Sequence, residues 1–170
     1  MTFCSCGSSS ASDNSYIDVI KNGYLGEFDD VTVDEMLTNY LSVFYDSLTW
    51  DVGTTNDNKV IVQLHASAVD KELKFDDTDI QFTFLDNDVF QVSGLKDGTL
   101  LTEDTKASDV AYFMDAVYLN YYMKKINPDE NAYSERLNSI NATSCLYGAS
   151  ASYDGDRKNY MNYLKISRWI

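Results

Sequence analysis

Residues 21–37 read KNGYLGEFDDVTVDEML and combine a glycine-punctuated entry, a helix cap and the beginning of an amphipathic helix. Thr32 and Glu35 lie three residues apart, which is the spacing of a capping box. Asp34 and Glu35 also complement the positive end of the helix dipole. Apolar residues then recur at three-and-four spacing, so the stretch predicts a helix over residues 33–46.

The period of the apolar residues changes to two after this helix, which is typical of strands. The alternation begins at Trp50, and a polar turn at residues 55–58 leads into a second strand over residues 60–67. Two further strands, around residues 80–84 and 90–92, flank an acidic turn. The pattern predicts an antiparallel sheet of about four strands with one apolar face to cover.

A second amphipathic helix is predicted over residues 107–125, before Pro128, the only proline of the chain. Residues 132–140 and 158–169 are compatible with short helices, and residues 148–155 with a loop between them. The fold class predicted is therefore α+β: a sheet of about four strands covered by two helices on the same face, with a helical C-terminal extension.

Three segments are predicted along the chain. Residues 1–15 are Ser-rich and should form a flexible tether. Residues 16–126 form the α+β domain, and residues 127–170 form the helical extension, packed on the same domain. A chain of 170 residues with 44% hydrophobic content has enough apolar material for the core of one domain.

The chain is strongly acidic, with 13 basic against 27 acidic residues and a formal net charge of −14. A field of that sign repels phosphate backbones, so direct nucleic-acid binding is not expected. The same field attracts a protein partner with a basic surface. Solubility is the simpler interpretation of any one acidic face.

The acids are concentrated in two clusters, whereas the last fifteen residues carry a net positive charge. The first cluster, which also contains two lysines, comprises Asp70, Glu72, Asp76, Asp77, Asp79, Asp86 and Asp88. The second cluster comprises Glu27, Asp29, Asp30, Asp34 and Glu35.

The cysteines, Cys4, Cys6 and Cys145, are odd in number, which argues against a disulfide framework. Residues 3–10, FCSCGSSS, look like the end of a bacterial lipobox followed by a Gly/Ser tether. The basic and apolar regions of a signal peptide would then lie in a longer precursor. We expect an extracytoplasmic protein attached to the membrane only through a lipid anchor at Cys6 if such a precursor exists, and a cytoplasmic protein if Met1 is the native start.

Residues 17–123 resemble a small α+β domain of predicted lipoproteins and exported proteins of gut Firmicutes. The resemblance is strongest from residues 22–26 (NGYLG) to residues 31–33 (VTV), and continues through a strand at Trp50, the strand IQFTF at residues 80–84 and a second helix. It implies the α+β fold and an exported ancestry. It implies no activity and carries over no catalytic residue.

Few residues could support catalysis. His65 is the only histidine, so a catalytic triad or a histidine-based zinc site would have to use it. The alternation places His65 opposite Val62 and Leu64 and predicts a surface or cross-strand histidine. The sequences DND at residues 86–88 and DGD at residues 154–156 lack the ligand series of a calcium loop and are attributed to turns. We therefore expect no catalytic residue, no metal and no cofactor.

Two functions remain. The first is a non-enzymatic protein-binding module, derived from an exported lipoprotein-type domain, that uses exposed aromatic side chains such as Tyr147, Tyr153 and Tyr160 together with the first acidic cluster. The alternative is a small acidic inhibitor, of the DNA-mimic or anti-CRISPR type, that blocks a nucleic-acid enzyme such as a CRISPR effector nuclease. Its carboxylates would occupy the basic channel of the enzyme.

Overall fold

The computed structural model describes residues 11–26, 28–68, 77–97, 107–139 and 146–153. Within these residues the fold is α+β, with four α-helices and one antiparallel sheet of six strands. The fold class predicted from the sequence is confirmed, whereas the predicted numbers of strands and helices differ from the structure.

The helices and strands alternate irregularly along the chain. The helices are α1 (Ala11–Lys21), α2 (Val33–Leu41), α3 (Ala107–Tyr121), which continues as a π-helical turn (Tyr122–Ile126), and α4 (Glu130–Ser139). The strands are β1 (Tyr24–Leu25), β2 (Ser47–Thr54), β3 (Val60–Ser67), β4 (Thr78–Asp86), β5 (Val89–Asp97) and β6 (Tyr147–Ala149). Their order in the sheet is β1-β6-β5-β4-β3-β2.

The four strands predicted from alternation are β2 to β5, and they form the consecutive antiparallel part of the sheet. Two strands were not predicted. β1 contains only two residues, and β6 falls within the segment that was predicted as a loop at residues 148–155. β6 lies between β1 and β5, so the segment predicted as a helical extension contributes a strand to the sheet.

The helices also differ in their limits. α2 ends at Leu41 rather than at residue 46, because the chain turns at residues 42–44. The structure is helical from Ala11, so residues 11–15 of the predicted tether belong to α1. The predicted helix at residues 158–169, like residues 1–10 of the tether, lies outside the described residues.

The Thr32 half of the predicted capping box is confirmed, whereas the Glu35 carboxylate accepts a hydrogen bond from Tyr121. Thr32 has extended backbone angles, φ −74° and ψ 158°, and its side-chain oxygen accepts a hydrogen bond from the backbone N–H of Glu35. This bond satisfies one of the backbone donors that the first turn of a helix leaves without an intrahelical partner. The cap fixes where α2 begins, and therefore how its buried residues meet the sheet.

The core lies on the sheet face that carries the alternating apolar residues. Val62 and Leu64 of β3 and Ile80 and Phe82 of β4 are fully buried there. The same cluster contains side chains from α1, α2 and α3: Ile20, Met36, Leu37, Met114, Val117 and Tyr118. This burial is the main source of stability of the fold.

None of the helices in the described ranges has the length and apolar character needed to span a membrane.

Candidate interaction surface

The sheet face opposite Val62 and Leu64 carries mostly polar side chains on β2, β3 and β4. We call this set the outer face: Thr49, Asp51, Gln63, His65, Asp79, Gln81 and Thr83. The members on β2 are exposed, and all the others except Asp79 are half-buried. The outer face follows directly from the period of two, since successive side chains of a strand point to opposite faces.

A network of polar contacts crosses the outer face. His65 and Asp79 are directly opposite each other on β3 and β4, and Nδ1 of His65 lies 2.6 Å from Oδ1 of Asp79. Lys96 on β5 is opposite Asp79, with its Nζ 3.6 Å from Oδ2. Asp77 approaches the other ring nitrogen of His65 at 3.9 Å. The prediction of a cross-strand histidine is confirmed.

A β-bulge brings Lys96 into this network. Phe82 pairs with Val92, whereas Gln81 pairs with Gly94, so Ser93 is an extra residue on β5. The Ser93 hydroxyl accepts a hydrogen bond from the Thr83 hydroxyl. Bulges re-aim the side chains beyond them. Without the extra residue, the position opposite Asp79 would belong to Leu95.

The contacts of the His65 ring show which groups its two nitrogens approach. Both ring nitrogens of His65 face carboxylates, at Asp79 and Asp77. A histidine that activates a hydroxyl or thiol needs one ring nitrogen directed at that nucleophile. In the described ranges, no group of three or more His, Cys, Asp and Glu side chains is arranged to hold a metal ion.

The structure separates the acids of the first cluster. Asp77 and Asp79 lie at the beginning of β4, whereas Asp86 and Asp88 lie at the turn between β4 and β5. At about 3.3 Å per residue along a strand, the two pairs are roughly 20 to 30 Å apart. Asp70, Glu72 and Asp76 are outside the described residues.

The predicted role of the DND sequence in a turn agrees with its contacts. Oδ1 of Asp86 accepts a hydrogen bond from the backbone N–H of Asn87 at 2.7 Å. Oδ1 of Asp88 accepts one from the Ser150 hydroxyl at 2.9 Å, next to β6. Both carboxylates therefore stabilise the local structure. The DGD sequence at residues 154–156 is outside the described residues.

The expected exposure of Tyr147 is wrong. Tyr147 lies in β6 with only 5% of its surface exposed, because that strand is inserted between two others. Tyr153 is half-buried and packs against the core. Tyr160 is outside the described residues. Of the predicted aromatic contact residues that the structure describes, Tyr153 alone retains accessible surface.

Carboxylates of the second acidic cluster connect α3 and α4 with α2 and with the turn that precedes it. The hydroxyl of Tyr118 in α3 donates to Asp30, and that of Tyr121 donates to Glu35, each at 2.8 Å. Arg136 in α4 forms an ion pair with Asp29 at 3.4 Å. Burial, reinforced by the hydrogen bond to Glu35, raises the pKa of Tyr121 to about 12. Burial also raises the pKa of Tyr118 well above the ordinary tyrosine value.

A shallow depression lies between α1 and the residues that follow β6. It has a volume of about 230 Å³ and is lined by Asp18, Val19, Asn22 and residues 150–152. Sites for small ligands typically have volumes of about 300 to 1,000 Å³ and several convergent polar groups. The depression is smaller than such a site.

Sequence reasoning missed two features of the outer face. Lys96 was not connected with His65, because its position depends on the bulge at Ser93. Thr49 and Asp51 were not singled out, although the alternation that begins near Trp50 places them on the same side as His65. β2 lies at the edge of the sheet because of the strand order, which cannot be read from the sequence.

Comparison of the chain with protein-family models, with curated proteins and with solved structures found no match. The fold and the geometry of the outer face therefore provide the basis for a functional proposal. The resemblance to exported lipoprotein-type domains stays a prediction from the sequence.

Proposed function

We propose that this protein is a non-enzymatic protein-binding module whose binding surface is the outer face. The observation that carries the proposal is a polar row, Thr49, His65, Asp79 and Lys96, which crosses four neighbouring strands in register. Three of its members are already held together before any partner arrives, by the hydrogen bond between His65 and Asp79 and the ion pair between Asp79 and Lys96.

A sheet supports such a surface well. The strands beneath the polar row are held by the buried core on the opposite face, which includes Val62, Leu64 and Phe82. Side chains that are already fixed lose little conformational entropy on binding, so more of the contact energy becomes affinity. A row of side chains across a sheet suits a macromolecule better than a small ligand, which needs a concave pocket.

The charge of the surface indicates the chemistry of the partner. Asp51 is exposed on β2, and the Asp77 side chain retains half of its accessible surface. Together with a net charge of −14, these carboxylates favour a protein partner with a basic surface. Attraction of this kind weakens as salt screens the charges. The complex should therefore form faster and bind more tightly at low ionic strength.

The proposal includes an origin from an exported lipoprotein-type domain. Its support is the resemblance of residues 17–123 and the lipobox-like residues 3–10. If a longer precursor carries a signal peptide, Cys6 is the residue that would receive the lipid.

The proposal can be tested by capturing partners from a bacterial lysate at low and high salt. Gln63 and Gln81 are opposite each other at the centre of the outer face, so Q63R and Q81R change it without touching the core. Tyr112 on α3 is 79% exposed, and Y112R is the matched control. We expect a protein that the wild type and Y112R retain and the two glutamine variants lose. Equal retention by all four proteins, or no captured protein at either salt concentration, would overturn the proposal.

The inhibitor alternative makes a different prediction in the same experiment. A DNA mimic needs dense carboxylates without compensating cations, whereas Asp79 forms an ion pair with Lys96 and is distant from Asp86. The arrangement of these acidic residues therefore favours a binding module over a DNA mimic. Capture of a basic nuclease that DNA displaces and high salt releases would favour the inhibitor instead, and reversing Asp77 to Lys should then weaken that complex.

A further inference from the structure

The edge strand β2 has the properties of a docking site for another strand. All eight residues of β2 pair in continuous register with β3, and none of the strands that the structure describes lies on its other side. A strand in this position carries a row of backbone N–H and C=O groups that a further chain can pair with.

The register identifies the open backbone groups. The backbone N–H of Thr55 donates to the carbonyl of Lys59 at 2.9 Å, directly after β2. Hydrogen-bonded and non-hydrogen-bonded pairs alternate along an antiparallel ladder. Thr55 is therefore a hydrogen-bonded position, and so is every second residue before it. The backbone N–H and C=O groups of the odd-numbered residues of β2 point towards β3, and those of the even-numbered residues point away from it. The outward set is Leu48, Trp50, Val52 and Thr54.

No backbone contact closes this row among the residues that the structure describes. The sheet ladders pair β2 only with β3, and the hydrogen bonds outside the ladders do not involve the outward set. The strand is also held firmly. The Trp50 ring stacks on Phe82 with centroids 5.9 Å apart, and Nζ of Lys21 lies 6.0 Å from the centre of the same ring.

The edge has only one of the sequence features that usually prevent unwanted pairing, the charged side chain of Asp51. Proteins also protect edges with short strands, proline, lysine or bulges. β2 reads SLTWDVGT, which contains neither proline nor lysine, and its pairing with β3 shows no bulge. At the opposite edge of the sheet, β1 is short, with two residues. The two edges are therefore unequal, and β2 is the edge suited to receive a strand.

We propose that β2 binds an extended segment of a partner protein, which adds to the sheet as a seventh strand and alternates apolar with basic side chains. The basic side chains would lie on the outer face, beside the exposed Asp51. The apolar ones would lie beside the half-buried Leu48, Trp50 and Val52 on the other side. Strand addition of this kind obtains affinity from main-chain hydrogen bonds and specificity from alternate side chains.

Charge disfavours a second copy of this chain as the occupant. Two β2 strands paired antiparallel about their centres would bring the Asp51 side chains of the two copies close together. Each copy also carries a net charge of −14. Like charges at such positions are destabilising.

The inference rests on the proposed function and adds the mode of binding and the chemistry of the partner segment. It is tested with a synthetic peptide that alternates valine and lysine, and with a matched peptide that alternates valine and glutamate. Amide hydrogen exchange of the full chain is followed residue by residue. We expect the valine–lysine peptide to protect the amides of Leu48, Trp50 and Val52, which should exchange quickly in the free protein.

Variants separate the backbone from the side-chain contribution. V52P removes an outward N–H, and an edge strand tolerates proline at such a position. V52T keeps that N–H and is the matched control. D51K reverses the charge of the proposed contact, and E135K makes the same change at an exposed site on α4. We expect V52P and D51K each to weaken peptide binding about tenfold, and V52T and E135K to leave it within about twofold.

The outcomes distinguish the two proposals. Absence of binding by the valine–lysine peptide, or binding without protection of the outward amides, would overturn strand addition. Protection that rises with protein concentration in the absence of peptide would show that a second copy is the occupant, and would also overturn it. If Q63R and Q81R lose the captured partner while V52P retains it, the protein-binding function stands and strand addition fails.

Discussion

At the scale of single residues, Asp79 shows how the outer face is stabilised. Asp79 is buried, with 8% of its surface exposed. A buried charge is costly unless it is paired. The partners of Asp79 are His65 and Lys96 on the two neighbouring strands. The bulge at Ser93 places Lys96 opposite Asp79, so the burial of this carboxylate depends on that strand register.

Replacing Asp79 should therefore destabilise the fold. D79A removes the partner of both His65 and Lys96 and should lower the free energy of unfolding by about 1 to 2 kcal/mol. The control is D77A, because the Asp77 side chain is half exposed and its contact with His65 is long, at 3.9 Å. That variant should stay within about 0.5 kcal/mol of the wild type. Urea unfolding monitored by circular dichroism measures both, and equal effects would contradict the role assigned to Asp79.

Buried tyrosines make the protein sensitive to alkali. The pKa of Tyr121 is raised to about 12 by burial and by its hydrogen bond to Glu35. The folded state therefore keeps the Tyr121 hydroxyl protonated at pH values where an unfolded chain, with the ordinary tyrosine pKa of about 10, loses the proton. The contribution of Tyr121 to stability is complete below about pH 10 and is lost as the pH rises towards 12.

The variant Y121F has no proton to lose and should show a smaller fall in unfolding free energy between about pH 10 and 12 than the wild type. The variant Y112F changes an exposed position of α3, and its unfolding free energy should fall as much as that of the wild type. Urea titrations at several alkaline pH values provide the measurement. Parallel profiles for Y121F and the wild type would show that Tyr121 does not carry this dependence.

Gly148 is required where β6 enters the sheet. A Cβ atom there would overlap the Phe90 ring and lie 2.8 Å from the carbonyl oxygen of Tyr24. G148A should therefore cost about 1 to 3 kcal/mol of unfolding free energy. Gly53 provides the control, since a Cβ atom there would meet Ile61 at an ordinary 3.5 Å. Thermal unfolding of both variants tests this, and a G148A protein as stable as G53A would contradict it.

At the scale of elements, β2 to β5 and the beginning of α2 could be predicted because their patterns extend over many residues. β1 and β6 could not, since strands of two and three residues are too short to display a period. Ser-rich composition concealed the beginning of α1. The pairing of Lys96 with Asp79 depends on one extra residue in β5, and no local pattern reports a bulge.

The cap of α2 can be tested directly. T32A removes the oxygen that accepts from the Glu35 N–H at 3.3 Å and should cost about 1 kcal/mol of unfolding free energy. Thr38 is an exposed residue within the same helix, and T38A should be neutral or slightly stabilising because alanine favours helices. Urea unfolding of the two variants gives the comparison, and an unchanged stability for T32A would show that the cap contributes nothing measurable.

At the scale of the whole molecule, the sheet divides the protein into unlike parts. One face is covered by helices and holds most of the core, and the other presents a polar row on β2 to β5. Near β6 that second face is buried as well, at Val89, Tyr147 and Ala149. One edge is a strand of two residues, and the other is a strand of eight. The sequence revealed the acidity and the two faces, but the strand order that leaves β2 at an edge depends on contacts far apart in the chain.

The central claim is that the outer face is where a partner protein binds. Site-specific photo-crosslinking tests it most directly, with a photoreactive residue in place of Gln63 at the centre of that face, or of Tyr112 on α3 as the control. The proteins are incubated in a bacterial lysate at low salt and then irradiated. A protein adduct at position 63 that is absent at position 112 is the predicted result. No adduct at position 63, or the same adducts at both positions, would contradict the claim.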